Sequence, residues 1–280
     1  MTTRDGVRLD GMLQLPAADA TRQWPVDGLC FVHGTGGNFY ASTLFDALAE
    51  RCLQRGCAVL RVNTRGHDGV SNAVTSKGGR RLGAAYEIVD DCRHDLSAWI
   101  NLLKAQVGPR VGLVGHSLGA VKCLYGLAHD TGLDVACVIA ISPPRLAYSW
   151  FCSNPEGAAF LAAYQEADAL VQAGRPAALL DVQLPLPFVI TAAGYVEKYG
   201  PDERYNYLRF LAGVRPPMLL TLGAIEAANN VAFRGAADAI TEMRRANISV
   251  TTIANADHFY SAARPELIAC TDDWLTKRGT

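Results

Sequence analysis

Short apolar runs at residues 29–32, 58–62, 111–114, 135–141, 218–222 and 248–253 each end in polar or glycine-containing loops. Between them, apolar residues recur every three or four positions. Leu44, Leu48 and Cys52 make one such stripe, and Val89, Cys92, Leu96, Trp99, Leu103 and Val107 make a longer one, the spacing that one buried helical face requires. Gly108-Pro109 stops the second helix before the chain resumes an extended pattern. Strands alternating with helices predict an α/β fold, a mostly parallel central sheet with helices on both faces. Residues 7–15 alternate loosely around Asp10-Gly11, which reads as a hairpin at a sheet edge. A helix near residues 266–277 closes the domain.

The alternation breaks between Pro143-Pro144 and Pro216-Pro217. The intervening stretch carries Trp150, Phe151, Phe160, Tyr164, Phe188, Tyr195, Tyr205 and Phe210. It is far longer than one crossover helix needs, so the expected organisation is a core of residues 1–144 and 216–280 with residues 145–215 inserted as a helical lid.

Composition narrows the partners. Half of the 280 residues are hydrophobic, and 26 basic against 27 acidic residues leave a net charge of -1 with no block of like charge. Nucleic acid and an anionic membrane surface are therefore poor partners, and no apolar stretch reaches the roughly 18 residues of a membrane span. A small-molecule substrate is the expected partner, with a homodimer left open. The eight cysteines form no C-x-x-C and no paired framework, and reduced, buried thiols of a cytoplasmic protein explain them. The opening MTTRDGVRLDGML is too charged for a secretory apolar region. Neither metal-ligand spacing nor a phosphate- or dinucleotide-binding glycine loop is present, so cofactor-free chemistry is expected.

The densest chemical signal is Gly115-His116-Ser117-Leu118-Gly119, which joins an apolar strand to a helical pattern. Small residues on either side of Ser117 allow a sharp strand-to-helix turn that exposes its hydroxyl above the sheet, and the helix N-terminus faces developing negative charge. His33-Gly34-Thr35-Gly36-Gly37 follows the run at 29–32 and can bring further N–H groups towards that serine. By position, the oxyanion donors are the N–H groups of Leu118 and Thr35, with Gly36 the alternative to Thr35. His258 lies in a loop after a strand and before a helix, where it can take the serine proton. His94 and His129 lie on helices and read as ordinary surface or satisfied residues. Lys77, Arg80 and Arg81 could read a substrate carboxylate, but a merely solvated basic loop is the simpler account.

GHSLG, the earlier HGTGG and Ala256-Asp257-His258-Phe259, in that order over nearly the whole chain, resemble the α/β-hydrolase superfamily, in its lidded, esterase-like branch. The resemblance implies a triad in the order nucleophile, acid, histidine. Glu226, after the strand at 218–222, stands at the acid position, where relatives more often carry Asp; its carboxylate can still hold the imidazole tautomer. Asp238, inside a helical pattern, and Asp257, beside the histidine, are the weaker acids. The resemblance gives His33 a structural role and places His67, in Arg65-Gly66-His67-Asp68, in a loop that shapes the sheet edge. A looser likeness of Gly83-Ala-Ala-Tyr-Glu87 to bacterial hydrolases and fungal siderophore-ester hydrolases favours an ester or lactone. The implied activity is hydrolysis of a carboxylic ester, lactone or thioester of a small to medium, partly apolar substrate through an acyl-enzyme on Ser117, with Gly34, Gly36, His116, Trp150 and Phe151 at the substrate. C–C bond hydrolysis and acyl transfer use the same constellation, and a non-catalytic ligand-binding relative would retain the fold.

Overall fold

The computed structural model describes residues 1–278. In chain order its strands are β1 (Gly11–Gln14), β2 (Gly28–Val32), β3 (Ala58–Val62), β4 (Ser71–Thr75), β5 (Gly78–Leu82), β6 (Val111–His116), β7 (Cys137–Ile141), β8 (Leu179–Val182), β9 (Phe188–Thr191), β10 (Met218–Gly223) and β11 (Ile248–Ile253). The helices are α1 (Thr43–Gln54), α2 (Cys92–Val107), α3 (Leu118–His129), α4 (Tyr148–Cys152), α5 (Gly157–Gln172), α6 (Ala192–Tyr199), α7 (Ala224–Asn229), α8 (Ala236–Glu242) and α9 (Arg264–Thr276).

Seven strands form one sheet in the order β1-β3-β2-β6-β7-β10-β11. Only β1 runs antiparallel, against β3; the others are parallel. Because helices cover both faces, β2, β3, β6, β7 and β10 are buried along their whole length, which is why these segments read as unbroken apolar runs. One face packs on the stripe of α2 (Cys92, Leu96, Trp99, Leu103) and on α3. The other packs on Leu44, Phe45 and Leu48 of α1 and on Leu267, Trp274 and Leu275 of α9.

Three local expectations need correction. Asp10-Gly11 is not a turn: Gly11 opens β1 opposite Val62, and the chain reverses earlier, where Gly6 at φ 85° lets the Thr3 and Val7 backbones bond. The glycine-rich stretch 66–83 holds a hairpin, β4–β5, on which Lys77, Arg80 and Arg81 are exposed. The insertion between β7 and β10 is only partly helical. Alongside α4, α5 and α6 it carries the hairpin β8–β9, whose four-residue strands are too short to stand out among the neighbouring proline residues.

All eight cysteines are free; six are buried, and Cys152 and Cys270 are half-buried. Burial pushes the Cys30, Cys57 and Cys137 thiols up, as expected of packing rather than reactive groups. Among the described residues no helix is long and apolar enough to cross a membrane.

Candidate active site

The parallel strands deliver their loops to one edge of the sheet, the carboxyl end where open α/β sheets hold ligands. Ser117 sits between β6 and α3 at φ 56° and ψ −129°, a conformation costly for a residue with a side chain. The close approach of neighbouring chain maintains it. A Cβ on Gly119 would fall 2.1 Å from the Val32 carbonyl oxygen, and one on Gly34 would fall 2.8 Å from Ser117 Cβ. The glycine loop after β2 is thus pressed directly against the serine.

Glu226 lies at the third position of α7, straight after β10, and its carboxylate is nearly fully buried. One oxygen takes the Gly223 N–H at 2.7 Å and the Ser142 hydroxyl. The other accepts from His258 Nδ1 at 2.7 Å. This leaves Nε2 of the half-buried His258 ring free to accept a proton. His258 and Ser117 line one cavity of about 410 Å3, although among the described residues no hydrogen bond joins the two side chains.

His116 clamps the histidine loop from beneath. Its Nε2–H donates to the His258 carbonyl at 2.8 Å, and the two rings lie 4.8 Å apart. Burial, with the neighbouring His258 ring, lowers the His116 pKa to about 3, so it stays neutral. His33 supports the glycine loop. Nδ1–H donates to the Gly34 carbonyl at 2.8 Å, while Nε2 accepts the Thr64 N–H at 3.0 Å. In a trans peptide, turning the Gly34 carbonyl towards His33 turns the Thr35 N–H away from it. Among the described residues neither that N–H nor the one of Leu118 has a protein acceptor. Burial and the Lys122 ammonium together lower the His33 pKa to about 3.

The cavity gathers Gly34, Thr35, Gly36, His116, Ser117 and His258, but not two residues expected there. Trp150 donates its indole N–H to the Val231 carbonyl, and Phe151 packs against Phe160 at 5.1 Å inside the insertion. Trp150 thus ties the insertion to the segment after β10, and Phe151 packs within the insertion; the insertion's contribution to the cavity wall is Leu186. Asp257 accepts the N–H groups of Phe259 and Ser261, and Asp238 is held in α8, so neither reaches the imidazole. His67 bonds Asp68, itself held by Asn38 and Tyr40.

Sequence reasoning missed Ser142 and Tyr260, which bond each other at 2.9 Å beneath Glu226, with Thr221 completing the network. Both have positive φ, 48° and 54°, which nothing in the sequence announces. It also missed a buried ionic cluster. The Lys122 ammonium sits 2.5 Å from Glu87 and donates to Thr64 Oγ1 at 3.1 Å, and Lys198 of α6 lies 3.8 Å from the same carboxylate. Burial alone would raise the Glu87 carboxyl; the two ammoniums reverse this and hold it low.

With this geometry in place, the relationship is plain: residues 31–269 match the alpha/beta hydrolase family, and the chain belongs to it. No curated protein matches the chain in sequence. Among solved structures it is similar to Est1E from Butyrivibrio proteoclasticus, with ferulic acid bound, at a TM-score of 0.66 and 16% identity, covering 98% of this chain and 96% of that one. The alpha/beta hydrolase GrgF from Penicillium gives 0.69 and 17%, over 99% and 96%. A monoacylglycerol lipase from Paleococcus ferrophilus gives 0.67 and 17%, over 96% and 99%.

Proposed function

We propose that the protein is a serine hydrolase of carboxylic esters. The observation that carries this reading is the buried Glu226 carboxylate bonded at 2.7 Å to His258 Nδ1, with Nε2 left available in the cavity that Ser117 lines from its strained turn.

In this mechanism His258 Nε2 takes the Ser117 proton as Oγ attacks the ester carbonyl, and Glu226 stabilises the imidazolium. The N–H groups of Thr35 and Leu118 receive the oxyanion. His258 then protonates the leaving alcohol, and a water activated by the same ring hydrolyses the acyl-enzyme. His33 and His116 remain neutral and act through position, one on the glycine loop and one on the histidine loop. Residues 145–215 act as a cap whose Leu186 closes the cavity.

The substrate class is a small to medium ester with an apolar portion, since Leu44, Phe45, Leu186 and Phe259 line a cavity of about 410 Å3. The ferulic acid of Est1E and the monoacylglycerol lipase relative are compatible with such an ester.

The test is turnover of p-nitrophenyl esters from acetate to decanoate by wild type and by Ser117→Ala. Wild-type turnover with a loss of about 10^3-fold or more in the variant is expected for a residue of this kind. Equal rates in the two proteins would refute the assignment. If Ser117 reacts with a fluorophosphonate yet no ester turns over, the same machinery serves C–C hydrolysis or acyl transfer instead.

A further inference from the structure

Resting on the hydrolase reading above, we infer that Arg264 makes the cavity selective for esters that carry a carboxylate in addition to the bond cleaved. Arg264 is the one cation among the described residues lining the Ser117 cavity, and no Asp or Glu lines it. The three histidines there leave it without a counter-ion.

The guanidinium is held but not neutralised. Its Nη2 donates to Thr43 Oγ1 at 2.7 Å, while Nε is buried with no hydrogen-bond partner, and among the described residues no carboxylate forms an ion pair with it. Two neighbouring polar side chains on that wall are engaged elsewhere. Asn38 binds Asp68 and the Tyr40 and Ala41 N–H groups, and Ser42 caps α1 through the Phe45 N–H. Arg264 is the one charged donor there, and it keeps N–H groups without an acceptor.

Its placement is unfavourable in the absence of an anion. Arg264 is the first residue of α9, and its bond to Thr43 carries it to the first residue of α1. Both are positive ends of helices twelve or more residues long, where a cation is disfavoured. Glu266 in the first turn of α9 forms no ion pair with Arg264, and the first-turn acid of α1, Asp46, is taken by Arg61. A buried donor left unpaired adds a further cost. A carboxylate entering the cavity would neutralise the guanidinium and offset its position at the two helix ends, and the planar guanidinium fork suits a planar carboxylate. One formal positive charge matches a singly charged group better than a doubly charged phosphate.

The charged group could belong to the acyl or to the alcohol half of the ester, and paired substrates separate the two. On the acyl side, p-nitrophenyl monoadipate and monosuberate are compared with the hexanoate and octanoate. On the alcohol side, 4-(carboxymethyl)phenyl butanoate is compared with its carbamoylmethyl counterpart. Wild type is expected to favour the charged member of one pair by about tenfold in kcat/KM, mainly through KM, and the preference should weaken with added salt. In Arg264→Gln the charged-to-neutral ratio should fall to near one, and in Arg264→Lys it should be intermediate. A structural tie between α9 and α1 would alter thermal unfolding without altering that ratio.

Neutral esters turned over with no charged preference in either series would overturn this inference while leaving the serine mechanism standing; so would a preference that survives Arg264→Gln. Calorimetric titration with adipate reads the subsite without any chemistry. Binding to wild type lost in Arg264→Gln supports it even if no ester is cleaved, and equal or absent binding in both proteins counts against it.

Discussion

The Glu226 carboxylate accepts three hydrogen bonds, from Gly223 N–H, Ser142 Oγ–H and His258 Nδ1–H, so its two oxygens do different work: one is anchored to the protein and the other orients the imidazole. Glu226→Gln keeps the shape but must present an amide NH2 either to Nδ1–H, a clash of donors, or to the Gly223 N–H and Ser142. The ring then turns or adopts the tautomer that carries its proton on Nε2, where it cannot accept from serine. Steady-state kinetics should show kcat lowered by about 10^3 to 10^4-fold with KM little changed; an unchanged kcat would mean that another group orients His258. Ser117 and His258 could be picked out in the sequence because each sits at a fixed place relative to a strand end, and Glu226 through the motif order of the family it resembles. Ser142 and Tyr260 could not, because their importance comes from a shared hydrogen bond at 2.9 Å across a sequence separation of 118 residues.

At the scale of elements, the site hangs on how loops are braced from below. The ionic cluster links α6 of the insertion, through Lys198, to Glu87, then Lys122 of α3, then Thr64 and His33 of the glycine loop. Glu87 and Lys122 side chains are essentially without solvent exposure, so removing one partner leaves buried charge uncompensated. Glu87→Gln strands two ammoniums and should cost about 3–5 kcal/mol in urea unfolding; a loss below about 1 kcal/mol would mean that water or rearrangement neutralises them. The sequence presented Glu87 only as the end of Gly83-Ala-Ala-Tyr-Glu and the two lysines as ordinary helical residues, since burial of a long charged side chain leaves no periodic signature. The hairpins β4–β5 and β8–β9 escaped notice for a related reason. They lie outside the main sheet and are partly exposed; β4, β5 and β8 lack the unbroken apolar runs by which the inner strands declare themselves, and that of β9 is only three residues long.

For the whole molecule, strand order and motif order agree. The sheet β1-β3-β2-β6-β7-β10-β11 puts the loops after β2, β6, β10 and β11 on one edge, and those loops carry Thr35, Ser117, Glu226 and His258 in the sequence order that the motifs anticipated. That architecture was legible because parallel strands buried on both faces must be apolar throughout. The insertion's internal packing was not legible, since aromatic residues at helical spacing serve equally as core or as pocket wall; Phe151 is core, while Trp150 is half-buried and bonds the Val231 carbonyl. In the proposed mechanism this assembly activates Ser117 through His258. Its most direct measurement is the rate and position of fluorophosphonate labelling, followed by intact mass and peptide mapping, in wild type and His258→Ala. A single adduct on Ser117 is expected, with labelling slowed by at least about 10^2-fold in the variant. An adduct elsewhere, or equal rates in the two proteins, would contradict it.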